Sequence, residues 1–206
     1  VNRPKSLLGT NPTGPWTNGT LTNLITGPSG TTTFYLRSSQ VGQQEVVVAC
    51  PQRWDGICGT TNVIVGYQDI YYVEEKPEWV HVGFTSEHGG SNAFNHWMTS
   101  NAAYMIWYTT TNFRAQFPDV GRIAINDMSL PFGGIFDLKQ NWQGSHFNHS
   151  RGTSVDVRNN GGPNSVPHAH TRRFMDGCGW FGATIVLLED EYGSNRHIHC
   201  QWPNPN

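Results

Sequence analysis

The chain has 206 residues, room for one large domain or two small ones. Only 14% of them are charged and the formal net charge is −2, which argues against a nucleic-acid binder that works by neutralising phosphates. No run approaches 18 consecutive apolar residues, so no helix is expected to span a membrane.

Taken in order, residues 1–33 are rich in Gly, Pro, Thr and Asn without a helical period, and predict an extended arm and turns. The chain opens at Val1 with no basic-then-apolar leader, as a mature or trimmed chain would. Short β-rich runs follow at Thr33–Arg37, Glu45–Ala49, Val63–Tyr67 and Asp69–Val73, separated by turn residues. Such spacing predicts a small β-sandwich or barrel-like module over 1–75. Trp16, Trp54, Tyr71 and Tyr72 are candidates there for stacking on sugars, or equally for core packing. The charged, Pro-containing stretch Glu74–Glu78 marks the expected boundary, with a second domain over 76–206.

In that second part, Trp79–Phe84 reads as a strand. Residues 92–117 form the one long helix candidate, through Trp97, Met105, Ile106, Phe113 and Phe117. The run Thr109-Thr-Thr111 weakens it, because β-branched residues lose rotamer freedom in helices. Arg122–Asn126 reads as a strand, and residues 158–168 as a Gly/Asn/Pro loop. Thr184–Glu189 reads as a buried strand that returns through a hairpin to His197-Ile-His199. The fold class expected is α+β.

Four cysteines, Cys50, Cys58, Cys178 and Cys200, in a Gly/Thr/Asn-rich chain point to disulfides and an oxidising compartment. Cys50–Cys58 with Cys178–Cys200 is the simplest of three connectivities. The rival, a cysteine zinc site, lacks any C-x-x-C.

The chemistry concentrates in Gly144-Ser-His-Phe-Asn-His-Ser-Arg-Gly-Thr-Ser-Val-Asp156, an H-x-x-H-x-x-G-x-x-x-D pattern. Imidazoles plus one carboxylate are the ligands zinc takes when a coordination position stays open. Ser154–Val157 alternates as a strand does, with Val155 and Val157 to the core and Asp156 to the other side. His197 and His199 share one strand face. At i and i+2 they stand roughly 6–7 Å apart along it, so one metal more readily takes only one of them. Gly152 sits where the chain turns from the histidines into the strand, a place for glycine's backbone freedom.

These blocks, with Asp127-Met-Ser-Leu-Pro-Phe-Gly-Gly134 before them and His197-Ile-His199 after, resemble the penicillin-insensitive murein endopeptidases, a branch of the LAS-type metallopeptidases. The resemblance covers roughly residues 120–200. It implies one Zn2+ per chain bound by His149, Asp156 and His199. His146 and His197 would line the site without being primary ligands. It also implies a LAS-type domain with a central antiparallel sheet and flanking helix. Two positions depart from the family pattern. Ser154 stands where an acidic residue is frequent, and Ser194 where murein endopeptidases carry a further histidine.

The activity implied is amide hydrolysis in peptidoglycan by a secreted or periplasmic enzyme. His197 is the first choice and His146 the second for proton transfer, with Glu189 and Glu191 as rivals and Asp127 supporting a ligand from behind. The competing readings are a zinc protease acting on proteins or free peptides, and a zinc-stabilised wall-binding protein without catalysis. His81, His88 and His96 read as structural or exposed, and His168-Ala-His170 as a rim feature.

Overall fold

The computed structural model describes residues 7–9, 17–18, 28–29, 33–37, 42–49, 57–65, 67, 69–83, 95–131, 133 and 147–203. The fold is α+β. The chain divides into two compact units, Val1–Val65 and Gly66–Asn206.

The first unit holds strands β1 (Leu7–Gly9), β2 (Thr17–Asn18), β3 (Tyr35–Arg37), β4 (Gly42–Ala49) and β5 (Ile57–Val65). They form a three-stranded sheet β2-β1-β3 and a separate antiparallel ribbon β4-β5. The strands expected at 33–37, 45–49 and 63–67 thus appear with shifted ends, in two small sheets. Trp16, Cys50 and Trp54 lie outside the described residues.

The expected boundary at 75 falls inside the second unit. Its first strand, β6 (Ile70–Tyr72), pairs with β8 (Trp97–Thr99), which ties this stretch forward. The main sheet has the order β11-β12-β10-β9-β7, built from β7 (Trp79–His81), β9 (Ile123–Ile125), β10 (Ser154–Arg158), β11 (Ile185–Glu189) and β12 (His197–Gln201). β9, β10, β11 and β12 pair antiparallel, but β7 adds to β9 in parallel, so the sheet is mixed. A parallel neighbour needs a long crossover, and β8 with helix α1 (Ser100–Gln116) provides it.

Helix α1 starts eight residues later than Asn92 because Trp97–Thr99 is taken by strand pairing. Thr99 caps it, its hydroxyl accepting from the Ala102 amide at 3.4 Å, a contact type worth about 1 kcal/mol. Thr109 and Thr110 of the threonine run are buried in the helix and satisfy their hydroxyls on the carbonyls of Met105 and Ile106, each at 2.9 Å. A second helix, α2 (Thr171–Trp180), was not expected from the sequence. Its Thr171, Phe174 and Cys178 are buried at i, i+3 and i+7, yet Gly177 and Gly179 disguise the pattern.

The core lies on one face of the sheet. Val155, Val157, Ile198 and Cys200 pack with Ile106, Phe113, Phe174 and Trp79. Strand β11 corrects the expectation of a buried strand: it is the sheet edge, and Ile185 and Leu187 are exposed. Cys178 of α2 and Cys200 of β12 form a disulfide, with Cα atoms 6.5 Å apart. This bond pins the helix to the strand that carries both His197 and His199. It closes a loop with a sequence separation of 22, for which chain entropy alone gives about 3 kcal/mol. The double variant Cys178→Ala/Cys200→Ala should therefore melt well below the wild type in a thermal scan. Equal melting temperatures would remove this role.

His81 and His96 are both buried and stacked, ring centroids 4.0 Å apart. Burial drives both towards the neutral form. His81 is pushed down to about 4, with Arg122 adding to burial and Glu75 opposing it, and His96 is pushed down to about 3, with His81 reinforcing burial. Unfolded, each would take a proton near 6.5. The unfolded chain therefore binds more protons between those values, and stability present above about pH 6.5 is lost as pH falls towards 4. In EDTA, to keep the metal centre out of the comparison, wild type should lose more melting temperature between pH 7 and 4.5 than His81→Leu. Parallel losses would show that the pair does not titrate in this window.

Candidate metal centre

Two adjacent strands and one turn build the site. In the β10–β12 pairing Asp156 stands directly opposite His199, and Arg158 opposite His197. Directly opposed residues of an antiparallel pair share a face, so Asp156, His197 and His199 project together, away from Val155, Val157, Ile198 and Cys200. Ser154, Asp156, His197 and His199 are nevertheless buried, because the site face is roofed rather than open. This corrects the expectation of a half-buried strand at 154–157.

Part of that roof is the 3-10 turn Phe147–Arg151, which carries His149. Gly152 follows at φ +69 and turns the chain into β10. A Cβ there would stand 3.0 Å from two carbons of Ile70 and 3.3 Å from the Thr99 nitrogen, so only glycine fits without displacement. The Gly152 carbonyl accepts from the Thr99 amide at 2.8 Å, fastening the turn to the start of α1. Ser154 donates to the Asn148 carbonyl at 2.8 Å and fastens it to β10. This is the local job done by a hydroxyl where the resembling family carries an acid.

His149, Asp156 and His199 are buried and each offers one ligand atom, all within 4.8 Å of one another. The group could hold a metal ion. His149 Nε2 lies 3.3 Å from Asp156 Oδ1, and His199 Nδ1 lies 2.8 Å from the same oxygen. Metal–ligand bonds of 2.0–2.2 Å in a tetrahedron put ligand atoms roughly 3.3–3.5 Å apart, close to the first of these distances. The tautomer of His149 also fits. Its Nδ1 is 2.5 Å from the Met128 carbonyl, which can only accept, so Nδ1 carries the hydrogen and Nε2 presents a lone pair to the centre. His199 Nε2 is buried and has no hydrogen-bond partner among the described residues.

The electrostatics agree with a cation site. Burial alone would push the Asp156 carboxyl up. His149, by charge and hydrogen bond, then His199 and His197, hold it well below the usual carboxylate range. Burial opposes protonation of His149, but the charge of Asp156, its hydrogen bond and the charge of Asp127 outweigh burial and raise it. A buried anion thus recruits positive charge from every side, and a metal ion meets the same demand.

His197 stands beside this triad. Its Nδ1 donates to the Asn195 carbonyl at 2.6 Å, which fixes the tautomer. Its Nε2 is 3.5 Å from Asp156 Oδ2, the other carboxylate oxygen, and 3.3 Å from Glu189 Oε2. Asp127 is buried just behind. Its two oxygens accept from the side-chain amides of Asn95 and Asn126, each at 2.8 Å, and Asn126 N donates to the Asp156 carbonyl at 2.8 Å. Asp127 therefore braces the β9–β10 junction. The residue after it, Met128, supplies the carbonyl that orients His149.

No protein-family model matches this chain, and no characterised protein matches it.

The structure brings together His149, Asp156, His197, His199, Asp127 and Glu189. His146 lies outside the described residues, as does His88. Glu191 is exposed and offers its carbonyl to Arg196 at 3.2 Å. His168 is bound to the Asn159 carbonyl at 2.6 Å, and His170 stacks on Phe117, so this second H-x-H serves packing. Asn95 and Met128 are the contributors that reading the sequence missed. An Asn beside a His and a backbone carbonyl carry no motif.

One ion per chain should bind wild-type protein loaded with zinc chloride, as read by elemental analysis after gel filtration. His149→Ala, Asp156→Ala and His199→Ala should each lose it, and His197→Ala should keep it. Zinc loss in His197→Ala with retention in His199→Ala would exchange the two histidines' roles.

Proposed function

We propose that the chain is a zinc-dependent peptidase of the LAS type that hydrolyses amide bonds in peptidoglycan. The observation that carries this is the convergence of His149 Nε2 and His199 Nδ1 on one oxygen of Asp156, with the His197–Glu189 pair at its side. The ordered blocks that resemble murein endopeptidases supply the substrate class. The Cys178–Cys200 disulfide supports a secreted or periplasmic setting, and no helix among the described residues is long and apolar enough to cross a membrane.

His149, Asp156 and His199 would hold the zinc. Bound there, zinc supplies a Lewis acid for a carbonyl and makes a water more acidic. The chain's own residues do the rest. The Met128 carbonyl keeps His149 in the ligating tautomer, and the Asn195 carbonyl keeps His197 with Nε2 facing the centre. His197 Nε2 is then the atom placed to accept a proton and return it to a leaving amine. Glu189 Oε2, 3.3 Å away, offers a second proton acceptor.

Digestion of purified murein and of defined muropeptides, with product masses read against a casein control, tests the reading. Wild type should release peptides from murein and leave casein intact. His197→Ala should retain zinc while kcat falls by about 10²–10⁴-fold, the usual worth of positioned acid–base catalysis. Full activity of His149→Ala would falsify the zinc-peptidase reading. Full activity of His197→Ala would move the base to Glu189 or His146.

A further inference from the structure

Four described arginines are half-buried: Arg114, Arg122, Arg158 and Arg196. Three of them are engaged. Arg114 donates to the Pro77 carbonyl at 2.8 Å, Arg122 pairs with Glu75 at 2.8 Å, and Arg196 Nε donates to Asn159 Oδ1 at 2.7 Å. The Arg158 guanidinium makes no hydrogen bond or ion pair with a described residue.

Its position gives that observation meaning. Arg158 is two residues beyond Asp156 on β10 and directly opposite His197 on β12. Both relations put its side chain on the face of the candidate metal centre. Its backbone is fixed by the sheet, and its carbonyl accepts from Val166 at 2.9 Å. The next residue, Asn159, is fully buried and held by Arg196 and Thr171. A rigid strand therefore presents an unengaged cation at the rim of the site. Arg158 is half-buried while its guanidinium nitrogens keep contact with solvent, which leaves its donors open to a ligand.

A guanidinium fork matches a carboxylate or a phosphate. In a peptide ligand the matching group is a carboxylate, at the chain terminus or on an acidic side chain. Residues i and i+2 of a strand stand roughly 6–7 Å apart, about the length of two extended residues.

We propose that Arg158 anchors a carboxylate of the ligand, and hence that the substrate is a peptide with a free carboxylate on a residue next to the bond at the metal centre, or one further along. That the ligand is a substrate rests on the peptidase reading; that it bears a carboxylate rests on Arg158. The carboxylate belongs to a chain terminus or to an acidic side chain.

The test is an NMR chemical-shift titration of the full-length, zinc-loaded protein with three probes. N-acetylalanine offers a terminal carboxylate, its amide offers none, and the α-amide of N-acetylglutamate offers only a side-chain carboxylate. Wild type should bind at least one of the acids about tenfold or more tighter than the amide, as expected for a charged hydrogen-bonded pair. The tighter acid identifies the source. Arg158→Gln should bind that acid no better than the amide, and Arg158→Lys should fall between, both with unchanged zinc content. Equal binding of acids and amide by wild type overturns the proposal, as does an acid preference that persists in both variants. If Arg158→Gln fails to fold, an unchanged preference in Arg158→Lys is the overturning result. Wild type that hydrolyses no muropeptide while keeping an Arg158-dependent acid preference sinks the peptidase reading and leaves the anchor. Hydrolysis without that preference does the reverse.

Discussion

A carboxylate sits in the middle of a sheet with almost no access to water, and the site follows from what that carboxylate requires. Asp156 is on a central strand and 1% exposed. An isolated buried carboxylate is expensive, and removing one partner from a buried pair typically costs about 3–5 kcal/mol. The β10–β12 register answers this by placing His199 directly across from Asp156, and the turn before β10 delivers His149 to the same oxygen. The register is therefore under a chemical constraint as well as a packing one. A slip by one residue would turn Ile198 and Cys200 towards Asp156 and drive both histidines into the core.

The two faces of the sheet divide the labour. One face buries valines, Ile198 and the disulfide sulfur against the helices, and this supplies stability. The other gathers the titratable groups beneath a turn. The turn is held from three directions: at Thr99 through Gly152, at β10 through Ser154, and at Met128 through His149 itself. Ordering groups at this cost makes sense where geometry must be kept to fractions of an ångström, as a metal centre requires.

How much of this was legible depends on how local the signal is. The candidate ligands are legible because ligand spacing, strand alternation and a turn glycine all fall within residues 146–156 and 197–199, whereas the choice of His199 over His197 comes from the family resemblance alone. The paired strand after Thr184 could be read from its apolar run, but not its exposure, because strand order decides which strand is the edge. Strand alternation at 154–157 gave the correct faces and the wrong burial, since a turn roofs the polar one. Helix α1 starts later than its apolar stripe suggests because Trp97 fits that stripe equally well, and only pairing with Ile70–Tyr72 assigns it to a strand. That same pairing moves the unit boundary ahead of Glu74. Helix α2 was hidden by two glycines that weaken local propensity while Phe174 and Cys178 pack.

The His197–Glu189 pair shows how the open edge and the buried triad work on one another. His197 is 7% exposed, while the Glu189 side chain is 40% exposed. The histidine is locked on its inner side by the Asn195 carbonyl, so its one adjustable nitrogen faces both the triad and the glutamate. Glu189 reaches solvent because β11 is the outermost strand. In the proposed enzyme a proton at His197 Nε2 would have a route to bulk water through Glu189. Placing the hairpin at the sheet edge, which left Ile185 and Leu187 exposed, is what opens that route. In the proposed enzyme, the exposed edge strand is what gives His197 a neighbouring proton acceptor that also reaches solvent.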